Sequence, residues 1–374
     1  MSDIGVKTEA SQLECIEISG GQPLCGSIRI QGSKNAALPI LAGTLLHEGK
    51  TILQRCPRIA DVMCMLQILE ELGCRVTWEG EDLHIDAGSL RDTRISENLG
   101  ERMRSSIILL GSLLGRIGEA HLPYPGGCTI GKRPIDLHLA ALRAMNAVIE
   151  EERCVLHGSC DRLCGRGIHF PFPSVGATEN VILAAVLAEG VTVIHNAAME
   201  PEIMELARFL IEKGALIEGA GTPYIRIEGV KGLCDSTYTM ASDRIVTGTY
   251  LCAAAATRSQ ITLADVPVSH LGAVLQVLEM TGAHVGGDEH ALHIDAGDAI
   301  RPIPKLVTET YPGFPTDLQS PLMALLCTAE GESCISERIF ESRYKDAEEL
   351  VRMGAQIEIK GSSAHQRRAE TYRM

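Results

Sequence analysis

Aromatic side chains are scarce in this 374-residue sequence: phenylalanine, tryptophan and tyrosine together make up 3% of it. Large rings therefore cannot build its hydrophobic cores. Hydrophobic residues still reach 45%, which is ordinary for a globular protein with well-filled cores. The cores must be built from Ala, Leu, Ile, Val and Met, which favours many closely packed helices. The length suits two or three domains.

Positive charge is also in short supply. The 34 Lys and Arg residues, against 48 Asp and Glu, give a formal net charge of −14. This balance provides no general attraction for nucleic acid or for an anionic membrane surface. An anionic substrate would need cations gathered locally.

Targeting and membrane signals are missing as well. Residues 1–14 have neither the basic start nor the apolar run of a secretory signal peptide. No apolar run reaches the length that crosses a bilayer, so no membrane insertion is expected. The 13 Cys are irregularly spaced, which indicates reduced thiols rather than a disulfide framework. The expected compartment is the cytoplasm.

One thiol has neighbours that suit chemistry. Cys128 follows two glycines and precedes Lys132 and Arg133 in the stretch YPGGCTIGKRPIDLH. The glycines allow a sharp exposed loop, and nearby cations favour the nucleophilic thiolate. Such a Cys can act as acid, base or nucleophile beside an anionic substrate. The alternative is a small core hydrophobe, which the Gly-Gly and Arg-Pro flanks disfavour.

A pattern of roughly 70 residues recurs along most of the chain. Its first copy predicts an apolar helix at 35–46, a strand at 50–55, an amphipathic helix at 59–72, and short strands at 75–78 and 82–85. The position that ends the amphipathic helix is Gly73, and the same position returns in each later copy, followed by Ala. Its later occurrences are Asn146, Gly214, Gly282 and Gly354.

The first helix of each copy is apolar on nearly every face, so protein must surround it. Its later copies are predicted at 106–114, 180–188, 245–256 and 319–329. We expect these helices at domain centres, with sheets and amphipathic helices packed around them. The polar, Gly-containing stretch 232–241 is the best domain boundary.

Five copies account for the chain to about Lys360. If copies group in threes, one domain is complete and the other holds two, so a sixth copy is expected to be missing. Residues 361–374, GSSAHQRRAETYRM, have almost no apolar residue and no period, which predicts a disordered, solvated tail. Whether a protein partner supplies a sixth copy is left open.

Four motifs connect the chain to a known family. They are GSKNAALPIL at 32–41, PGGCTIGKRPIDLH at 125–138, SVGATEN at 174–180 and YPGFPTD at 311–317. On these motifs the chain resembles the UDP-N-acetylglucosamine 1-carboxyvinyltransferases, also called UDP-N-acetylglucosamine enolpyruvyl transferases. Related enolpyruvyl transferases that act on shikimate 3-phosphate share the fold but lack this Cys loop.

The resemblance implies an α/β, two-domain enolpyruvyl transferase fold. This fold is an inside-out α/β barrel built from repeated βαβαββ units around buried central helices, with the sixth repeat missing here. By this analogy 34–240 form a central domain that carries the Cys loop. Residues 1–33 and 241–360 form a second, incomplete domain, and Asp243 and Arg244 lie near the hinge. The two domains are expected to close over substrate.

The implied reaction adds the 3-hydroxyl of UDP-N-acetylglucosamine to C2 of phosphoenolpyruvate and then eliminates phosphate. In the family this is the first committed step of peptidoglycan synthesis, on which cell-wall formation, cell shape and cell division depend. No metal or organic cofactor is implied. The expected partners are these two small-molecule substrates.

The resemblance also assigns roles to residues. Cys128 would donate a proton to C3 of phosphoenolpyruvate and can form a covalent pyruvate adduct. Lys34 and Arg133 would bind the phosphoenolpyruvate anion, Asn35 would orient the sugar, and Asp317 would be the base at the 3-hydroxyl. The other residues carried over would contact the nucleotide sugar or the substrate carboxylate: Arg104, Pro134, Ile135, Asp136, Leu137, Ser174, Val175, Gly176, Ile339 and Arg343.

Taken alone, several of these residues have simpler interpretations. Lys34 and Arg343 would ordinarily be surface charges, and Asp317 and Ser174 would ordinarily cap helices. Only the joint match of the motifs favours the catalytic interpretation.

Two other functions stay open. One is a catalytically impaired, truncated relative that only binds the nucleotide sugar. The other is metal binding, because Cys154, His157, Cys160, Cys164 and His169 lie within sixteen residues. Zinc sites usually pair two short ligand spacings, whereas this run has one C-x2-H pair, so zinc is disfavoured.

Overall fold

A computed structural model describes residues 17–18, 20, 22–126, 131, 134–297 and 299–367. The strands are β1 (Cys25–Arg29), β2 (Lys50–Gln54), β3 (Arg75–Glu79), β4 (Asp82–Asp86), β5 (Glu119–Pro123), β6 (Val148–Glu152), β7 (Val155–Ser159), β8 (Gly167–His169), β9 (Val191–His195), β10 (Leu216–Glu218), β11 (Tyr224–Glu228), β12 (Ser236–Thr239), β13 (Gln260–Ala264), β14 (His284–Gly287), β15 (Ala291–Asp295), β16 (Leu306–Val307), β17 (Glu332–Ser336), β18 (Gln356–Lys360) and β19 (Ser363–Arg367).

The α-helices alternate with these strands. They are α1 (Lys34–Thr44), α2 (Ala60–Glu71), α3 (Glu97–Gly100), α4 (Leu109–Arg116), α5 (Asp136–Ala144), α6 (Val175–Ala185), α7 (Pro201–Glu212), α8 (Arg244–Ala256), α9 (Gly272–Met280), α10 (Gln319–Leu326) and α11 (Lys345–Arg352). Short 3-10 turns lie at Arg104–Ile108, Val268–His270 and Thr316–Leu318. The first predicted copy is confirmed element by element, with bounds that differ by one or two residues.

The repeated helix ends are confirmed by the backbone. Gly73, Asn146, Gly214, Gly282 and Gly354 have φ angles of 100°, 80°, 101°, 90° and 102°. A left-handed residue after the last helical turn turns the chain sharply into the next strand, and Gly or Asn adopts that conformation at low cost. The same local chemistry therefore ends the amphipathic helix of every copy.

In the part of the chain that the structure describes, the strands form five sheets. Four have four strands, in the orders β1-β13-β15-β14, β12-β2-β4-β3, β10-β11-β9-β8 and β16-β17-β19-β18, and the fifth has the order β5-β7-β6. Each four-stranded sheet contains one parallel pair, and its other pairs are antiparallel. In the fifth sheet the corresponding parallel pairing is reduced to a single bridge, between Arg94 and His121. These are the five predicted copies.

The buried hydrophobic residues fall into two separate groups. The first core contains buried residues from Ala36 to Met240. The second core contains Ile30 and buried residues from Leu251 to Ala364. Helices α1, α4 and α6 contact one another within the first core, and α8 contacts α10 within the second. The nearly all-apolar helices are thus central, as predicted.

The predicted disordered tail at 361–374 is wrong for its first part. Residues Ser363–Arg367 form β19, which pairs antiparallel with both β17 and β18. Only Ala364 and Gln366 point inward, and both are fully buried. A strand with one apolar residue shows no hydrophobic alternation, and its backbone hydrogen bonds to two neighbours hold it in place. Residues 368–374 lie outside the described residues.

Close packing of α4 on α6 gives a test of the first core. A Cβ added at Gly111 would overlap two oxygens of Asn180, whereas one at Gly115 would lie 3.4 Å from the Ala184 carbonyl oxygen. Gly111→Ala should therefore lower the free energy of unfolding by about 1–3 kcal/mol through overpacking.

Gly115→Ala, on the same helix, is the matched control. It should be neutral or stabilising by up to about 1 kcal/mol, because Ala favours the helix. Urea unfolding followed by circular dichroism compares the two variants. Equal stabilities would contradict the close approach of these helices.

Candidate active site

One carboxylate joins the central helices of the two cores. Asp243 Oδ1 accepts hydrogen bonds from the backbone N–H groups of Ile245 (2.8 Å) and Val246 (3.0 Å), and so caps α8. Its other oxygen, Oδ2, accepts from the backbone N–H of Lys34 at 2.9 Å, in the first turn of α1. Helix N-termini leave such N–H groups without partners inside the helix. Asp243 therefore fixes the starts of α1 and α8 relative to each other.

Asn35, the residue after Lys34, also reaches from one core to the other at the junction where Asp243 holds the starts of α1 and α8. Asn35 Nδ2 donates to Asp317 Oδ2 at 3.2 Å. Asp317 Oδ1 accepts from Arg343 Nη2 at 2.8 Å. The side chain of Asp317 is 37% exposed and that of Arg343 is 16% exposed. Asp317, in the turn before α10, therefore accepts hydrogen bonds from Asn35 of α1 and from Arg343 in the segment before α11. These three residues were predicted to act together.

Lys34 lies at the same helix start but its ammonium points to another carboxylate. Lys34 Nζ is 2.6 Å from Asp61 Oδ2, and both side chains are partly exposed. A pair in that setting contributes little, roughly 0–1 kcal/mol. Lys34 can therefore exchange this partner for an anionic ligand at small cost.

The Cys loop connects the two cores at its described ends. At the near end, Arg104 Nη1 donates to the Pro125 carbonyl oxygen at 3.4 Å. At the far end, a Cβ on Gly131 would overlap the carboxylate of Glu341, two residues before Arg343. The structure thus brings the far end of the loop next to the Arg343 segment. Cys128 and Arg133, the predicted proton donor and anion ligand, lie outside the described residues.

A second group of predicted residues lies on the first core alone. Asp136 begins α5, with Pro134 and Ile135 before it and Leu137 after it. Ser174 caps α6, its Oγ accepting from Ala177 N at 3.5 Å, and Val175 begins that helix.

The starts of α5 and α6 are tied together at their buried faces. A Cβ on Gly176 would lie 3.1 Å from the His138 ring. Asn180 donates to His138 Nδ1 (3.0 Å) and to the Ile107 carbonyl (3.0 Å), and accepts from Gly111 N (2.7 Å). Because Nδ1 accepts, His138 carries no proton there. Ile339, the remaining predicted contact, lies on the second core, where its N–H donates to Glu337 Oε1 at 2.7 Å.

The acids beside the junction were not predicted from the sequence. Arg244 of α8 makes a two-pronged ion pair with Glu202 of α7, with Nε–Oε1 at 3.0 Å and Nη2–Oε2 at 3.2 Å. Their side chains are 9% and 5% exposed. Burial, the largest single influence, lowers the pKa of Arg244, but Glu202 together with Asp317 and Glu200 raises it by more, so the net pKa is raised. Charged residues early in a helix carry no sequence signal that distinguishes them from surface charges, so Glu202 could not have been found.

Two more carboxyl groups surround that pair. Burial raises the pKa of Glu179 well above its usual range, and the charges of Glu202 and Glu200 raise it further. Burial also raises the pKa of Glu200, although Glu200 Oε1 accepts a hydrogen bond from Tyr311 N at 3.3 Å. Tyr311 begins the YPGFPTD motif that leads to Asp317. This acidic group therefore supports the loop that carries the predicted base.

The raised pKa of Glu179 makes stability depend on pH. A carboxyl that holds its proton more tightly when folded contributes stability at low pH and loses it as pH rises from the unfolded pKa to the folded one. Glu179→Gln removes this titration. The free energy of unfolding of the variant should therefore rise relative to the parent chain as pH rises above about 5.

Urea unfolding across that pH range tests this, with the exposed Glu218 replaced by Gln as the control. The control should follow the parent chain at every pH. A variant whose relative stability falls as pH rises would show that Glu179 is stabilised as the carboxylate.

The residues suggested for zinc are not gathered in space. Cys160 Sγ donates to the Leu114 carbonyl oxygen, and His157 Nε2 lies 3.1 Å from His121 Nδ1 on the neighbouring strand. Among the residues that the structure describes, no group of three His, Cys, Asp or Glu side chains could hold a metal ion. None of the helices in the same residues is long and apolar enough to span a membrane.

Comparison with known proteins identifies the class. Residues 18–372 match the family model described as EPSP synthase (3-phosphoshikimate 1-carboxyvinyltransferase). The chain belongs to this family of carboxyvinyltransferases, which are transferase enzymes. The class alone does not fix the acceptor, since the family includes enzymes for more than one.

The names of similar proteins within the family specify an acceptor. The chain is 47% identical over 348 residues to UDP-N-acetylglucosamine 1-carboxyvinyltransferase 2 of Caldanaerobacter subterraneus subsp. tengcongensis, covering 93% of this chain and 84% of that protein. It is 44% identical over 352 residues to the UDP-N-acetylglucosamine 1-carboxyvinyltransferase of Nitratidesulfovibrio vulgaris, covering 94% and 84%. The enzyme of that name from Coxiella burnetii is 45% identical over 349 residues, covering 93% and 80%. The resemblance drawn from the four motifs is confirmed.

Solved structures confirm the fold. The enolpyruvyl transferase NikO from Streptomyces tendae superimposes with a TM-score of 0.83 at 20% identity, covering 93% of this chain and 82% of that one. EPSP synthase from Acinetobacter baumannii gives a TM-score of 0.69 at 19% identity, covering 94% and 83%. The predicted α/β enolpyruvyl transferase fold of repeated units is therefore correct.

Proposed function

We propose that this chain transfers the enolpyruvyl group of phosphoenolpyruvate to the 3-hydroxyl of UDP-N-acetylglucosamine, with release of phosphate, as the first committed step of peptidoglycan synthesis. The observation that carries the proposal is the hydrogen-bonded set Asn35–Asp317–Arg343 at the junction of the two cores. Identities of 44–47% to enzymes named for this reaction support the choice of acceptor. We place the reaction in the cytoplasm, an assignment that the free thiols of the described cysteines support.

The carboxylate at the centre of this set is the proposed base. Asp317 takes the proton from the sugar 3-hydroxyl as the oxygen bonds to C2 of phosphoenolpyruvate. Asn35 donates to one oxygen of that carboxylate and orients both the carboxylate and the sugar. A base held by two hydrogen bonds keeps its orientation, which is what general base catalysis requires.

Three cations are proposed to hold the anionic substrate. Lys34 and Arg133 bind the phosphoenolpyruvate anion, and Arg343 faces its carboxylate. Positive groups around phosphoenolpyruvate stabilise the charge that develops as C2 is attacked. The short ion pair between Arg343 and Asp317 holds the substrate-binding arginine against the base. The sugar 3-hydroxyl and phosphoenolpyruvate are therefore bound next to each other.

Cys128 is the proposed proton donor to C3 of phosphoenolpyruvate. Addition places the sugar oxygen on C2 and the proton on C3, giving a tetrahedral intermediate. Loss of a proton from C3 then expels phosphate from C2 and leaves the enolpyruvyl ether. The near approach of Gly131 to Glu341 supports a loop that carries Cys128 to the Arg343 segment.

The nucleotide half of the acceptor is proposed to lie on the first core. Arg104 and the starts of α5 and α6, from Pro134 to Leu137 and from Ser174 to Gly176, form this surface, and Ile339 closes it from the second core. The N-terminus of α6 adds backbone N–H groups, which favour phosphate oxygens. The two buried cores support a division into two domains, 34–240 and 1–33 with 241–360, and the pairing of β1 with β13 supports the place of the N-terminal segment.

An acceptor competition tests the proposal. The purified chain is given phosphoenolpyruvate with UDP-N-acetylglucosamine, with shikimate 3-phosphate, or with both, and products are identified by mass spectrometry. The expected product is the enolpyruvyl ether of the nucleotide sugar alone, and Cys128→Ser should form none. Enolpyruvyl shikimate 3-phosphate would overturn the choice of acceptor. Binding of the nucleotide sugar without any product would overturn the catalytic role.

A further inference from the structure

A cluster outside the candidate active site combines a thiol, an imidazole and a carboxylate. Cys334 on β17 lies directly opposite His365 on β19 in the strand register. Cys334 Sγ is 3.8 Å from His365 Nε2. The other ring nitrogen, His365 Nδ1, is 3.4 Å from Glu332 Oε1. The three groups are thus connected in the order thiol, imidazole, carboxylate.

The carboxylate fixes which ring nitrogen carries the proton. Arg367 bonds to Glu332 and lowers the pKa of that carboxyl, with a smaller contribution from His365. An ionised carboxylate only accepts hydrogen bonds, so His365 Nδ1 must donate to it. In the neutral imidazole the proton therefore sits on Nδ1, which leaves His365 Nε2 able to accept the proton of the Cys334 thiol.

The cluster lies on the outer face of its sheet. Ile335 and Ala364, the neighbours of Cys334 and His365 along their strands, point into the second core and are fully buried. Cys334 itself is partly exposed. On β18, Glu358 stands opposite His365 in the register and is paired with Lys360 at 2.8 Å. Each carboxylate near the imidazole, Glu332 and Glu358, thus has a cationic partner of its own. Because Cys334 is partly exposed, a small solute can reach the thiol.

We propose that Cys334, His365 and Glu332 form a thiol-exchange site whose substrates are small disulfides. His365 Nε2 takes the thiol proton, and the Cys334 sulfur attacks one sulfur of the disulfide. A new S–S bond forms to Cys334, the original S–S bond breaks, and the leaving thiolate takes the proton back from His365. The two half-molecules of the disulfide end as one mixed disulfide and one thiol, so no further oxidant is needed.

Buried thiols of the same chain cannot compete for this chemistry. Burial raises the pKa of Cys56, Cys74 and Cys252 to about 12 and that of Cys327 to about 11. Such thiols are almost entirely protonated at neutral pH. Cys25 and Cys154 are exposed and serve as internal references for an accessible thiol.

Exchange with hydroxyethyl disulfide, an uncharged probe, tests the site in the full chain. The mixed disulfide at each Cys is followed at about pH 7 by peptide mapping. Cys334 should react about tenfold faster than Cys25 and Cys154, because an ordinary thiol is only a few per cent thiolate there. His365→Gln should reduce Cys334 to the rate of the two references, and Glu332→Gln should reduce it in part.

Several outcomes would overturn the proposal. One is a Cys334 exchange rate in the unmodified chain that is no higher than the rates of Cys25 and Cys154. This comparison needs no variant, so it stands even if a variant fails to fold. An unchanged Cys334 rate in folded His365→Gln would show that accessibility alone sets reactivity. At about pH 9.5 the Cys334 exchange rate in His365→Gln should return most of the way to that of the unmodified chain, because ordinary thiols ionise unaided above about pH 8.5. A deficit that persists there would indicate a blocked thiol instead.

Discussion

Asp317→Asn is expected to lower kcat for enolpyruvyl transfer by about 100- to 10,000-fold, the range that a positioned general base contributes. The amide keeps the shape of the side chain and an oxygen for the bond from Asn35, but it cannot take the proton of the 3-hydroxyl. It also loses the charge that Arg343 faces at 2.8 Å. Steady-state kinetics with both substrates measures the change. KM for the nucleotide sugar should change far less than kcat.

Asp295→Asn provides the comparison for that variant. Asp295 is an exposed residue at the end of a strand of the second core, and its replacement should leave kcat within about twofold, as surface changes usually do. If Asp317→Asn retained more than about a tenth of the parent kcat, Asp317 would not be the base.

Arg244→Met should lower the free energy of unfolding by about 3–5 kcal/mol, the usual cost of breaking a buried ion pair from one side. The variant leaves the carboxylate of Glu202 buried beside Glu179 and Glu200 with its cation removed. Because α8 and α7 belong to different cores, the loss should also loosen the contact between them. Urea unfolding followed by circular dichroism measures the change.

Arg226→Met is the matched control. Arg226 and Glu228 pair at 2.9 Å with both side chains partly exposed to solvent, where such a pair is worth less than about 1 kcal/mol. The double variant Arg244→Met, Glu202→Leu should regain much of the lost stability, since it leaves no unpaired charge. Equal losses at the buried and the exposed pair would mean that the Arg244–Glu202 contact does not hold the cores together.

The repeated unit could be predicted because its signals are local. Apolar helices such as α1, and the left-handed residues from Gly73 to Gly354 that end the amphipathic helices, depend on neighbours within a few residues. Five copies of the same local pattern then specify five sheets. The local pattern alone could not place the N-terminal strand, since that strand pairs with β13, more than 200 residues later. Only the family resemblance assigned residues 1–33 to the second domain.

The junction was predicted only where the family resemblance named its residues. Asn35 and Asp317 were expected together on the resemblance, and the structure brings them to 3.2 Å. Asp61 and Glu202 carry no such motif, and their partners Lys34 and Arg244 lie far away along the chain. Strand β19 was missed for a different reason, because Gln366 fills a buried position that a hydrophobic residue ordinarily fills.

Phosphate release from phosphoenolpyruvate by the purified 374-residue chain is the most direct test of the proposed reaction. The assay is run with and without UDP-N-acetylglucosamine, beside a Cys128→Ala chain shown by circular dichroism to be folded. Release that requires the nucleotide sugar and is lost in Cys128→Ala is the predicted result. Release without the sugar, release that survives the loss of Cys128, or no release from the folded parent chain would contradict it.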